Sequence, residues 1–210
     1  PLDDYYHGTH VAGTIAAAGN NGRGIAGVNW NLKLMALKFL DGWGSGYISD
    51  AVTALAYADA MGATITNNSW GCDGCGEEAL RDAIYESGRL GNLFVASAGN
   101  EGLNNDTSPS RNYPSSYDLD NIIAVAASDH SDQMPSWSCY GPISVDLAAP
   151  GVAVYSTTPT FITMAMNQSE IYPYYWNISG TSMAAPHVTG TAALLKSYMP
   201  RVEYQQIQTA

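Results

Sequence analysis

Two periods of hydrophobic and polar positions alternate along this chain. Continuous apolar runs of strand length, "NLFVASAG" and "NIIAVAAS", are bounded by Gly, Asn and Ser and read as strands buried on both faces. "LKLMALKFL" also reads as a buried strand, and "ATITNNSWG" as a strand running into a loop. "ISDAVTALAYADAMG" repeats apolar residues at helical spacing and ends at Gly62. "EEALRDAIYESG" starts with acidic residues, which favour the positive end of a helix dipole, and has Gly88 at its end. A last helix, from about Thr181 through "AAPHVTGTAALLKSYM", is apolar on most sides and rich in small residues, as suits a helix crossing the middle of a domain. The alternation predicts an α/β fold, a mostly parallel β-sheet flanked by helices on both faces. Irregular segments fall at Cys72 to Gly76, Glu101 to Asp120 and Thr157 to Asn177, and no repeat or linker divides residues 1–210.

Composition fits one globular domain: 210 residues, 46% hydrophobic and 13% charged. The formal net charge of −11, with only 8 Lys and Arg, excludes a phosphate-binding face for nucleic acid and disfavours anionic membrane surfaces. No apolar run approaches the length of a membrane span, and no segment has the pattern of a signal peptide. The chain opens on Pro1 rather than Met, so a natural start further upstream is expected. Cysteines number three, Cys72, Cys75 and Cys139. The pair in "GCDGC" has no second C-x-x-C and no thioredoxin context, which leaves a local disulfide or plain thiols. N-x-S/T sequons begin at Asn67, Asn105, Asn167 and Asn177, and such triplets arise by chance in an Asn- and Ser-rich chain.

In open parallel sheets functional groups collect at the carboxyl ends of strands. Three polar clusters fall at such points. "HGTHVAGTIAAAG" puts His7 at the start of a helix, where the dipole disfavours its cationic form and leaves it able to accept a proton. "ASAGN" delivers Asn100, whose amide is a donor suited to a developing oxyanion. "SGTSMAAPHVTG" puts Ser182 in the first turn of the last helix, where its own N–H lacks an intrahelical partner. Each has a plainer reading. His7 and His10 could be a metal pair, but no H-E-x-x-H carboxylate lies between them. Asn100 could be a turn residue, Ser182 a helix-start serine, and His187 reads as a packed histidine. Jointly the clusters supply a base, an oxyanion donor and a nucleophile.

The three blocks "HGTHVAGTIAA", "ASAGNEG" and "GTSMAAPHVTG" resemble, in order, the histidine, oxyanion and serine blocks of subtilisin-type serine proteases, the subtilases. The resemblance runs over essentially the whole chain. It implies His7 as general base, Ser182 as nucleophile and Asn100 as oxyanion-hole side chain, in an endopeptidase working through an acyl-enzyme. It implies an extended peptide held between Gly44, Ser45 and Gly46 on one side and Ser69, Trp70 and Gly71 on the other, with Trp70 and Ile48 lining a pocket four positions before the cut. Ser97, Ala98 and Gly99 would wall the pocket just before the cut, and Asn112 would close its bottom. Small walls and an uncharged floor imply a preference for large apolar side chains there, with Glu101 at the rim. No cofactor is implied for catalysis. A structural calcium is implied at Asn21 and the carbonyls of Ala18, Arg23 and Ile25, although Asn-Gly turns form without metal. The implied setting is extracellular, with polypeptide substrates, a propeptide or inhibitor as partner, and a monomeric state.

One departure matters. The family's order is Asp, His, Ser, with the Asp some tens of residues before the His, and only six residues precede His7. Asp3 and Asp4 are too near in sequence for that part and read as loop residues. The expectation is therefore a piece of a longer protease, without the aspartate strand and cut within a helix at "EYQQIQTA". Chain order excludes an α/β-hydrolase, which needs an acid and then a histidine after the serine. A chymotrypsin-like order is met, but alternating helices do not suit a double β-barrel. The remaining rival is a subtilase-fold pseudoenzyme or binding module. The long segment before Ser182, with Tyr172, Tyr174, Tyr175 and Trp176, departs from the compact family form.

Overall fold

The computed structural model describes residues 2–159 and 174–209. Its centre is a four-stranded parallel sheet in the order β1-β3-β5-β6, formed by β1 (Ile65–Asn68), β3 (Leu93–Ser97), β5 (Ile122–Ser128) and β6 (Leu147–Pro150). Because side chains alternate across a strand, the two middle strands feed two cores. Leu93, Val95, Ile123, Val125 and Ala127 face one side, where they pack with Ala184, Ala185 and Ala192 of the long helix α4 (Thr181–Tyr198) and with Ile207 of α5 (Tyr204–Gln208). Phe94, Ala96, Ile122 and Ala124 face the other side and meet Leu55 of α2 (Ile48–Ala60) and Leu80 and Ile84 of α3 (Glu78–Arg89). Helices cover both faces, as the alternation of apolar runs and helical periods implies.

Two antiparallel pairs frame this layer. β2 (Cys72–Asp73) pairs with β4 (Asn112–Tyr113), and β7 (Val154–Thr157) pairs with β8 (Tyr175–Ile178). Helix α1 (His7–Ala16) lies against that second hairpin and α4, with Val11 and Ile15 packed on Met183. His10, fully buried, fastens α1 to the hairpin: its Nε2 is 3.1 Å from both Val154 O and Trp176 O. Two carbonyls can only accept, so Nε2 carries the proton. That nitrogen is therefore a donor, which removes it from the metal pair considered for His7 and His10.

Two local expectations differ. The segment "LKLMALKFL" is not a buried strand: residues 32–39 form no ladder, and Leu34 and Met35 are 50% and 42% exposed. An apolar run becomes a strand only with a partner edge, and none pairs with it among the described residues. Gly88 does not end α3, which continues to Arg89; a Cβ at Gly88 would lie 2.5 Å from Asn121 Cγ, so this glycine serves close packing, and Gly91 at φ +90° makes the turn. The short pairs β2–β4 and β7–β8 lie in or beside stretches that sequence left irregular.

Candidate active site

The ends of β1 and β3 meet the start of α4 at one end of the sheet, and α1 packs on α4 through Val11 and Ile15 against Met183. Helix α1 begins at His7, preceded by Tyr6 in the left-handed region at φ 67°. Asp3 secures this entry: its Oδ2 accepts the Thr9 N–H at 2.7 Å and the Thr9 hydroxyl at 2.5 Å, and its Oδ1 accepts Tyr5 N–H. It is a capping loop residue, as its position in sequence suggests. Asp4 instead pairs with Lys38 at 3.1 Å. Burial holds the His7 imidazole below its ordinary value, the nearby Asp3 carboxylate opposes this, and His10 adds to the lowering. His7 is thereby kept neutral near pH 7, able to take a proton.

β3 delivers Asn100 to the same end. Thr181 N–H donates to Asn100 Oδ1 at 2.9 Å and the Thr181 hydroxyl lies 3.1 Å from the same oxygen. A backbone N–H can only donate, so this end of the amide must be its oxygen. The NH2 end is thus turned away from Thr181, on a residue that is exposed. Ser182 follows Thr181 in the first turn of α4, half-buried, and its N–H has no acceptor among the described residues. Ser182 Oγ donates to Ser69 O at 3.2 Å, and Ser69 Oγ donates back to Ser182 O at 2.8 Å. His187 stays apart from this exchange, with Nδ1 2.9 Å from Met183 O in its own helix.

The segments expected to hold substrate border this point. Asp41 closes the 41–45 turn by accepting Trp43 N–H and Ser45 N–H, and Gly44 takes φ +75° against the Tyr5 ring. Phe39 meets Trp70 edge-on with ring centroids 5.2 Å apart, which joins the Gly44–Gly46 side to the Ser69–Gly71 side. Trp70 and Ile48 both pack on the α2/α3 core. Ser97, Ala98 and Gly99 are all buried. Gly71 and Gly99 both border Asn112: a Cβ at Gly71 would lie 2.6 Å from Asn112 Oδ1, and one at Gly99 3.0 Å from Asn112 Cβ.

Several residues here were not singled out for this part by sequence. Asn105, fully buried, gives Nδ2 to Ala98 O at 2.9 Å and accepts Asn112 N–H at 3.3 Å, tying the Ala98 and Asn112 segments together. It is one of the sequon residues; with Asn67, hydrogen-bonded inside the fold, it is closed to glycosylation, whereas Asn177 is exposed on β8 and Asn167 lies outside the described residues. Cys139, also fully buried, places Sγ 3.5 Å from Glu101 Oε2, and burial raises its thiol above the ordinary value. Cys72 and Cys75 form a disulfide, one of the two states left open for them, beside the β2–β4 pair. Of the long aromatic segment, Tyr172 lies outside the described residues, whereas Tyr174 and Trp176 are exposed at β8.

In the loop expected to hold calcium, Asn21 Nδ2 donates to Ala18 O at 2.9 Å and Asn21 Oδ1 accepts Arg23 N–H at 2.9 Å. With the Arg23 and Ile25 carbonyls these are neutral oxygen donors of the kind a hard cation takes, and four of them make about half its usual coordination. The donor chemistry fits the ion, provided the Asn21 amide releases both bonds.

No helix among the described residues is long and apolar enough to cross a membrane. The family model for the subtilase family matches residues 2–210. A thermophilic serine proteinase of Bacillus sp. (strain AK1) is 45% identical over 197 residues, which are 94% of this chain and 44% of that protein. Thermitase of Thermoactinomyces vulgaris is 41% identical over 197 residues, 94% of this chain and 63% of its own. The crystal structure of a cold adapted subtilisin-like serine proteinase superposes with a TM-score of 0.79 at 29% identity, covering 99% of this chain and 67% of that one. This chain thus spans less than two thirds of the first two relatives. Matched along nearly its whole length by sequence and by fold, the chain belongs to the subtilase family.

Proposed function

We propose that this chain is the nucleophile-bearing part of a secreted serine endopeptidase. The observation that carries the reading is the Asn100 amide, whose oxygen is pinned by Thr181 N–H so that its NH2 group faces outward one residue from Ser182. In the reaction the Ser182 hydroxyl exchanges its Ser69 carbonyl acceptor for the His7 imidazole, which takes the proton as Oγ bonds to the substrate carbonyl carbon. The resulting oxyanion is held by Asn100 Nδ2–H and Ser182 N–H. Collapse breaks the C–N bond, the amine leaves with the proton from His7, and water then releases the acyl group from Ser182 by the same sequence.

The peptide lies extended between Gly44–Gly46 and Ser69–Gly71, bound through its main chain as an added strand. Asn112, Gly71 and Gly99 are themselves uncharged, and the Glu101 and Asp73 carboxylates beside Gly99 and Asn112 already accept from Asn100 N–H and the Asn112 amide, so Phe, Tyr, Leu and Met are preferred just before the scissile bond, with Lys and Arg lower. The carboxylate that orients His7 is supplied from outside the described residues, by a strand that also covers exposed Leu34 and Met35. A structural calcium at Ala18, Asn21, Arg23 and Ile25 draws its other ligands from the same source. The rival, a catalytically silent binding module, would need neither a neutral His7 nor an outward amide. The test is hydrolysis of a peptide library by the full-length protein: cleavage after large apolar residues, abolished in Ser182→Ala, is expected. Cleavage retained in Ser182→Ala, or none in the wild type, overturns the reading.

A further inference from the structure

The two-way exchange between Ser69 and Ser182 is one end of a longer polar chain. Ser69 Oγ lies 2.8 Å from Ser182 O, an atom that can only accept, so Ser69 spends its single proton there. Ser69 Oγ must then accept from its other neighbour, the Asn67 amide at 2.9 Å, which sets Nδ2 toward Ser69. The same amide therefore turns Oδ1 toward Thr189, whose hydroxyl stands 2.8 Å away. Thr189 has a second acceptor, Ala185 O, at 3.2 Å, but only its donation to Asn67 satisfies the amide. One backbone carbonyl thus fixes the polarity of every hydroxyl and amide back to Thr189.

Geometry gives this chain a purpose. Thr189 and Ser182 are seven residues apart on α4, two turns and about 10 Å along one face. Asn67 belongs to β1 and Ser69 to the segment that follows it. The helix that carries the nucleophile is therefore bolted to the substrate-side strand at two heights, by the Ser69–Ser182 exchange and by the Asn67–Thr189 bond. Thr189 is buried, so water does not replace its hydroxyl.

Resting on the serine-protease reading of Ser182, we propose that Thr189 is a positioning residue for the nucleophile: through Asn67 and Ser69 its hydroxyl sets the place of Ser182 Oγ against the base. Without that hydroxyl Asn67 Oδ1 loses its donor and the amide is held at its Ser69 end alone, so Ser69 and the Ser182 backbone gain room to shift. The loss falls on the chemical step, since the peptide is gripped by the backbone of the flanking segments.

The test uses the full-length protein, with steady-state peptide hydrolysis per titrated active site and the rate of Ser182 modification by a fluorophosphonate. Thr189→Val should lower kcat about tenfold, less than the hundredfold that an ångström of misplacement costs, with KM within about twofold. The modification rate should fall in parallel, and Thr189→Ser should restore both. Wild-type kcat in Thr189→Val, or a Thr189→Ser as slow as Thr189→Val, overturns the proposal, the second by showing that only the methyl group matters. Should Thr189→Val not fold, Asn67→Asp keeps an acceptor for Thr189 but removes the donor to Ser69. It should show the same loss of kcat, and wild-type kcat there overturns the proposal. A wild type that is neither modified nor active sinks the serine-protease reading first, and this proposal with it.

Discussion

Replacing Asn105 by Leu tests whether the Ala98 and Asn112 segments, proposed to wall the pocket before the scissile bond, are held by one buried amide. Asn105 is 0% exposed and spans Ala98 O at 2.9 Å and Asn112 N–H at 3.3 Å. Leucine has similar bulk but no polar atoms, so both backbone groups would stay buried without partners. A buried unsatisfied group costs about 1–3 kcal/mol, and the added apolar burial returns part of that, for a net loss of about 2–4 kcal/mol. At this chain length 1 kcal/mol moves the midpoint by about 2–4 °C, so Tm should fall roughly 5–15 °C. Calorimetry on fluorophosphonate-inhibited protein, at several scan rates because unfolding of a protease is irreversible, gives the number. Steady-state kinetics supply the second readout, since Ala98 and Asn112 would lose their common tether. KM should rise more for a substrate with Phe before the scissile bond than for one with Ala. A Tm loss under about 2 °C with unchanged KM would mean that Asn105 does not tether these segments.

Other perturbations probe neighbouring parts of the account. Gly71→Val puts a Cβ 2.6 Å from Asn112 Oδ1 and 2.9 Å from the Tyr113 carbonyl; profiling with a peptide library should show preference moving from large to small side chains before the cut, and an unmoved preference would remove Gly71 from the pocket wall. Burial lowers the His7 value and the proposed orienting carboxylate opposes that lowering; since catalysis needs the neutral imidazole, kcat/KM should fall as pH drops through the His7 value. Because the Asp3 carboxylate opposes that lowering, Asp3→Asn should move the acid limb of kcat/KM to still lower pH; movement upward contradicts the assignment. Non-reduced peptide mapping should find Cys72 and Cys75 joined, two hydrogens lighter than the dithiol form, and stoichiometric zinc on this pair would contradict it.

What the sequence disclosed, and what it hid, follows from the range of the interactions involved. β3 and β5 were legible because strands buried on both faces are apolar throughout, and α4 because small residues must line a helix packed on a sheet and on α1. The run around Leu34 and Met35 misled because its side chains match a buried strand while pairing depends on a neighbour. Gly88 looked like a terminator, although its lack of a side chain serves contact with Asn121, far along the chain. His7, Asn100 and Ser182 stood out through long local blocks. Asn105 and the Thr189–Asn67–Ser69 chain did not, since each is an ordinary polar residue until folding aligns donors with acceptors.

Covalent modification shows most directly whether Ser182 is a nucleophile activated in this setting. The full-length protein, treated with one equivalent of a sulfonyl fluoride and digested, should carry a single adduct on the peptide containing Ser182, with activity lost in proportion to the label. The adduct should be absent in Ser182→Ala and formed much more slowly in His7→Ala. Labelling spread over other serines, or full activity in protein labelled at Ser182, would contradict the account.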